Sequence, residues 1–166
     1  MKYFILLIGI VLLPFLGQSQ EYWHAIGVRG GLSSGFSFKK FLDDENAFES
    51  ILSFKRGINV ILLKEMHQPK YNQYSENIYV FHGFGGHFGF LSDDYANEEI
   101  KVFRATLNRG PWVPVVGLDA IMGIEYRFET VPVVFGLEYK PYFDLFAKDI
   151  FDLHLWDFAL SLKYTY

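Results

Sequence analysis

No cysteine occurs among the 166 residues, which excludes disulfides, thiolate metal sites, thiol nucleophiles and a cysteine-linked lipid anchor. Proline is scarce, at 6 residues, and basic side chains are outnumbered, with 15 Lys and Arg against 19 Asp and Glu. The formal charge of -4 argues against a general polyanion binder, so no nucleic-acid partner is expected. Long apolar runs are absent beyond the N-terminus; nothing there approaches the roughly 20 apolar residues that a membrane-spanning helix needs. No GxGxxG, GxxxxGK or HExxH pattern occurs, and no serine has the context of a nucleophile elbow. What the chain has instead is aromatic content of 19 %, made of 18 Phe, 11 Tyr and 3 Trp, together with 15 Gly. Disorder and a simple helical bundle are both excluded by that composition, and the length suits one domain with a core or a closed barrel.

The first residues account for part of the apolar excess. Lys2 supplies a positive start, Phe4 to Leu13 is an unbroken apolar run, and Gly17-Gln18-Ser19 before Gln20 reads as a small-residue cleavage pattern. Residues 1–19 are therefore expected to be a cleaved signal peptide, and residues 20–166 a single exported domain.

Alternation organises the rest. In Val115 to Phe128 one parity carries Val116, Leu118, Ala120, Met122, Ile124, Tyr126 and Phe128, and the other Gly117, Asp119, Gly123, Glu125 and Arg127, with Ile121 as the apolar exception. From Val133 onward Phe135, Leu137, Tyr139 and Phe143 oppose Gly136, Glu138, Lys140 and Tyr142, after a turn before Pro132. At the C-terminus His154, Trp156, Phe158, Leu160, Leu162, Tyr164 and Tyr166 share one parity, opposed by Asp157, Ala159, Ser161, Lys163 and Thr165. A membrane requires every backbone group to be paired and the sheet to close, so these segments together read as an antiparallel barrel with apolar residues outside and polar ones inside.

Earlier strands are less regular. Tyr22 to Ser33 sets Ile26, Val28 and Leu32 against Ala25, Gly27, Arg29 and Gly31; Ala47 to Lys55 sets Phe48 and Leu52 against Glu49 and Ser53. Ile58 to Met66 is a further strand whose Ile61 and Leu63 leave its facing open, and Glu76 to Leu91 is another, rich in glycine that relieves crowding. Residues 92–114 read as the long outer loop, the place for an extracellular partner. This gives seven strands where an even number, eight, fits the length, so one more is expected, preferably over Phe143 to Phe151 and otherwise within Gly35 to Phe41.

The whole mature chain resembles the small outer-membrane β-barrel proteins common in Bacteroidota, porin-family members with a single barrel domain. The resemblance rests on Gly27-Val28-Arg29-Gly30-Gly31, Glu49-Ser50-Ile51-Leu52, Gly83-Phe84-Gly85-Gly86-His87, the stretch Gly117 to Tyr126, Pro132 with Leu137-Glu138-Tyr139-Lys140-Pro141, and Leu162-Lys163-Tyr164-Thr165-Tyr166. It implies insertion by the outer-membrane barrel-assembly machinery, with Leu162, Tyr164 and Tyr166 as the assembly signal; Tyr166 stands where Phe is more usual.

The polar parity suggests a lumen closed by an ion-paired network of Arg29, Glu49, Asp119, Glu125, Arg127, Glu138, Lys140, Asp157 and Lys163. No catalytic residue, metal ligand or cofactor is assigned. A deacylase-like lipid-modifying enzyme is a competing reading that would use His82, His87 and Asp119, although five positions place the two histidines on opposite faces of one strand. A narrow solute channel and a soluble ligand-carrying barrel also compete with the sealed membrane barrel. Tyr22, Trp23, Tyr79, Trp112, Tyr126, Tyr139, Trp156, Tyr164 and Tyr166 are expected at membrane interfaces, where a ring with a polar handle is favoured.

Overall fold

The computed structural model describes residues 23–54, 57–68, 77–92, 112–145 and 151–166. They form β1 (His24–Gly31), β2 (Gly35–Phe41), β3 (Asn46–Ser53), β4 (Gly57–Gln68), β5 (Ile78–Ser92), β6 (Trp112–Arg127), β7 (Val133–Tyr139), β8 (Tyr142–Leu145), β9 (Phe151–His154) and β10 (Phe158–Thr165), with no helix among them. All neighbouring strands are antiparallel, and the pairings of β1 with β10 and of β5 with β6 close the sheet on itself. β7 and β8 both pair with β6, so they are one barrel strand interrupted at Lys140 and Pro141; β9 and β10 form the last strand in the same way. The result is a closed barrel of eight strands.

The period of two decides which side chains go in. On β10, Leu160 is 52 % exposed while Lys163, three residues on, is 1 % exposed. The same division runs through β1, where Ile26 and Val28 face out and Ala25 and Arg29 face in, and through β6, where Leu118, Met122 and Ile124 face out and Asp119 and Glu125 face in. The outer rows of the described strands are thus largely apolar, with Lys40 and Lys64 as exposed exceptions, and most of the strands' charge lies within. An apolar cluster of Ile51, Ile61, Leu63, Phe81 and Ile121 lines the interior on the wall made by β3 to β6, beside Glu49, Glu65, His67 and Glu125 of the same strands.

Short turns hold the ends. Between β2 and β3 the Asp43 carboxylate accepts the backbone N–H of Glu45 at 3.0 Å, that of Asn46 at 2.7 Å and the Asn46 amide at 2.9 Å. These bonds hold the Asp43 carboxyl below its ordinary value, the Asn46 side chain being the chief cause. That turn and the one between β6 and β7 share a rim with the start of β1 and the end of β10. The opposite rim, here the far rim, carries the turn between β1 and β2 and the upper ends of β5, β6, β8 and β9.

Several expectations are corrected. The eighth strand is β2, not Phe143 to Phe151, because Leu32 to Ser34 turns the chain without Pro, Asn or Asp: the Ser34 hydroxyl accepts from Gly31 N–H at 2.9 Å and donates to Gly31 O at 2.6 Å. Tyr142–Leu145 only continues the seventh barrel strand. Ile61, Leu63 and Ile121 all point inward, where they pack on one another.

His154 faces in, not outward with Trp156. Tyr139 is opposite Phe158 and Tyr142 opposite His154, so two residues on one strand face three on the other; the extra residue is a bulge that reverses parity, and Leu155 and Trp156 both point out. Pro141, which has no N–H to give the ladder, stands opposite that bulge.

Tyr79 also faces in, under the Arg127 guanidinium at 3.6 Å from its ring. Trp112 to Pro114 and Ser92 belong to strands, which leaves 93–111 of the supposed loop; that segment, residues 1–19 expected as a leader, and Tyr22 lie outside the described residues, as does the side chain of Trp112.

Candidate functional site

The interior holds two connected groups of charged side chains. Toward the rim with the chain ends, Lys39 Nζ lies 2.5 Å from Glu125, 2.7 Å from Glu65 and 3.4 Å from Glu49. Lys163 Nζ lies 2.9 Å from Glu49, 3.1 Å from Glu138 and 3.6 Å from Glu125. Two ammonium groups therefore sit among four carboxylates brought from β3, β4, β6 and β7, and Ser37 adds a hydroxyl donated to Glu49. His67 stacks on Phe81 with centroids 5.1 Å apart, its Nε2 3.1 Å from Glu65. Arg29 links this group to the next: its Nε bonds Glu138 at 2.7 Å and its Nη1 reaches Asp157 at 3.5 Å, with the Ser33 hydroxyl between them.

The second group lies toward the far rim. Lys140 Nζ donates to Asp119 at 2.7 Å and stands 3.4 Å from Asp157. His87 is held between carboxylates of two strands, Nδ1 2.7 Å from Asp119 and Nε2 2.8 Å from Asp144. The imidazole fits because residue 117, its cross-strand partner, is glycine; a Cβ there would collide with the ring. His154 Nε2 approaches the other oxygen of Asp144 at 3.3 Å, and Tyr142 stacks on His154 at 4.5 Å between centroids and meets His87 edge-on at 5.5 Å. Beside these groups lies a small cavity of about 30 Å³, partly open to solvent. Its polar lining is Ser33, Ser53, Asn59, His87, Lys140 and Asp144, and its apolar wall is Leu32, Ile61 and Leu91.

All nine residues expected to form the lumen network face the interior, Arg127 at its edge and the others fully buried. Sequence reasoning missed Lys39, Glu65, His67, Asp144 and His154. For the first four a signal was present: Lys39 shares parity with Ser37 opposite Phe36 and Phe38, Glu65 and His67 with Ile61 and Leu63, and Asp144 with Glu138, Lys140 and Tyr142. His154 had no such signal because the bulge hides its parity.

The His82, His87 and Asp119 grouping comes apart. His82 is exposed on the outer surface opposite Met66 and Met122, with the sheet between it and His87. His87 and Asp119 do pair, but the other ring nitrogen of His87 meets Asp144 and not a hydroxyl, so the relay a hydrolase needs is not assembled among the described residues. Nor is any group of three or more His, Asp or Glu among them disposed to hold a metal ion. The residues Leu162, Tyr164 and Tyr166 lie on the outer row of the last strand, Leu162 and Tyr164 against Val28 and Ile26 of β1. No family model matches the chain, and no curated protein or solved structure matches it either.

Proposed function

We propose that the chain is an integral outer-membrane β-barrel protein, akin to the small porin-like barrels it resembles, that presents its far-rim loops on a rigid scaffold and conducts no solute. The observation that carries this reading is a closed sheet whose outer rows are largely apolar, Lys40 and Lys64 being the charged side chains of the described strands exposed there, while the acids and the other bases of those strands are inside. A barrel in water gains by the reverse arrangement, since exposed apolar area costs roughly 25 cal/mol per Å². In a bilayer the same surface is solvated by hydrocarbon, and closure satisfies the backbone.

The outer row of the last strand supports the embedding in detail. It reads Trp156, Phe158, Leu160, Leu162, Tyr164, Tyr166, with aromatic residues at both ends and leucine between, as rings favour the interface and aliphatic chains the interior of the layer. Trp23, Tyr126 and Phe128 extend the aromatic row around the rim with the chain ends, and Phe36 with Phe54 and Phe90 stand toward the other. On this reading residues 1–19 are the export leader, the last strand is the segment the assembly machinery engages, and outer-membrane lipids are the barrel's main partner. Interior ion pairs together with the buried side chains of Ile51, Ile61, Leu63 and Ile121 argue for a sealed lumen.

Two measurements test this. The mature chain refolded into phospholipid vesicles is expected to migrate faster on SDS gels unheated than boiled, and to give no conductance steps in planar bilayers. A monomer that folds and stays dissolved in detergent-free buffer would refute the embedding, and steady single-channel steps would refute the seal.

A further inference from the structure

The polar side chains of the outer wall are gathered in one sector. Lys40 on β2, Lys64 on β4 and His82 on β5 are all exposed there, whereas the outer rows of β6, β7 and β10 carry no charged side chain. Register sets the three side by side. Lys40 stands opposite Phe48 and Phe48 opposite Lys64, so the two lysines flank Phe48 on a single row, two strands and about 10 Å apart at the usual strand spacing. Phe84 continues that row beyond Lys64, and His82, two residues along β5, lies on the diagonal from Lys64 at roughly 7 to 8 Å.

Nothing in the wall balances this charge. No carboxylate of the described strands stands on the outer rows, and neither lysine is bonded to a carboxylate among the described residues. Asp43, in the turn between β2 and β3, is held low first by the Asn46 amide and only last by Lys64, and its oxygens are already engaged by that turn. The same weak influence places the Lys64 ammonium toward the rim with the chain ends, where Lys40, the last residue but one of β2, already is. Lys64 is four residues from the end of β4, about 13 Å along the strand and about 10 Å in depth at a tilt of about 40°. A lysine so placed lays its stem on the apolar wall and carries its ammonium to the headgroups.

We infer that this sector holds an anionic phospholipid, its phosphate between Lys40 and Lys64, the His82 imidazole N–H as a further donor, and its acyl chains along Phe48 and Phe84. The inference rests on the membrane reading, and charge complementarity selects the occupant. A zwitterionic headgroup brings its own ammonium to the lysines, and a second copy of the barrel meeting this face across a two-fold axis brings the same two lysines.

The test uses the full mature chain refolded in a nonionic detergent, its folding read separately from the heat-dependent gel mobility. It is titrated with dioleoylphosphatidylglycerol, dioleoylphosphatidylcholine or inorganic phosphate, and bound lipid is counted by native mass spectrometry. Attraction of an anionic headgroup to each lysine is worth a factor of about five, so phosphatidylglycerol is expected to bind about 25-fold more tightly than phosphatidylcholine. The double variant Lys40→Leu/Lys64→Leu is expected to erase the preference and Lys40→Arg/Lys64→Arg to keep it. Inorganic phosphate is expected to displace nothing, since the acyl chains carry part of the affinity. Equal binding of the two lipids, a preference unchanged in the leucine variant, or displacement by phosphate would each overturn the proposal, while a folded gel mobility leaves the membrane reading standing. A chain that folds and stays dissolved without detergent would overturn both.

Discussion

Replacing Leu160 by arginine separates a barrel in hydrocarbon from one in water. Leu160 is 52 % exposed, opposite Gly30 on one side and Leu137, itself 51 % exposed, on the other. It is midway along an outer row whose ends are aromatic, so it lies near the centre of the layer if the barrel is embedded. Half of the side chain is outside any protein contact, and in water the substitution disturbs little, within about 0.5 kcal/mol. At a bilayer midplane an arginine costs about 2 to 4 kcal/mol, which is roughly 30- to 1,000-fold in the folding equilibrium, and near an interface about 0 to 1. Phe128→Arg, on an exposed position just past β6 at the rim with the chain ends, is the matched control. Urea titrations of the vesicle-refolded protein, followed by tryptophan fluorescence, should show the Leu160→Arg midpoint well below that of Phe128→Arg with similar slopes. Equal midpoints for the two variants would refute the placement of this row in lipid.

Other substitutions address the interior. Lys163→Met removes one of the two ammonium groups among Glu49, Glu138 and Glu125, leaving Lys39 and Arg29 to face them, and should cost about 3 to 5 kcal/mol in the same titration, the cost of breaking a buried ionic group. Leu63→Ala, at a fully buried position of the apolar cluster, should cost about 2 to 5 kcal/mol by leaving a cavity, without opening a conductance. Asp43 contributes through a carboxyl whose folded value is lowered, so its contribution is present above the ordinary value of 3.8 and is lost as pH falls through the lower one. The stability gap between the parent and Asp43→Ala, measured by thermal melts, should therefore shrink on acidification below that value and stay level above it.

Much of the fold was legible because three segments state their two faces without ambiguity. Val115 to Phe128, Val133 to Phe143 and Phe158 to Tyr166 each separate charged or small residues from apolar ones at alternate positions, with Val115, Ile121 and Val134 as the apolar exceptions, and in each the structure puts the charged parity inside. Asp119, Glu125, Glu138, Lys140, Asp157 and Lys163 could be assigned to one surface from that alone. Where the wall is greasy on both sides the pattern fails. Ile61 and Leu63 lie on the inner parity of β4 together with Glu65 and His67, and only their packing with Ile51, Phe81 and Ile121 of the adjoining strands explains why apolar residues belong there. β2 escaped because its turn is made by a serine hydroxyl instead of the residues that usually mark one.

Sequence alone determined that this chain makes a two-faced sheet, since side-chain direction in a strand follows from position modulo two and needs no knowledge of neighbours. It could not determine which acid meets which base. Lys39 joins Glu125 from the far side of the barrel, and Arg29 joins Glu138 across 109 positions of chain. Those meetings depend on the register between strands and on how the sheet closes, and a one-residue bulge at Leu155 is enough to turn His154 from the outer surface toward Asp144. Parity is a local property of the backbone, whereas register and closure are set by all the strands together.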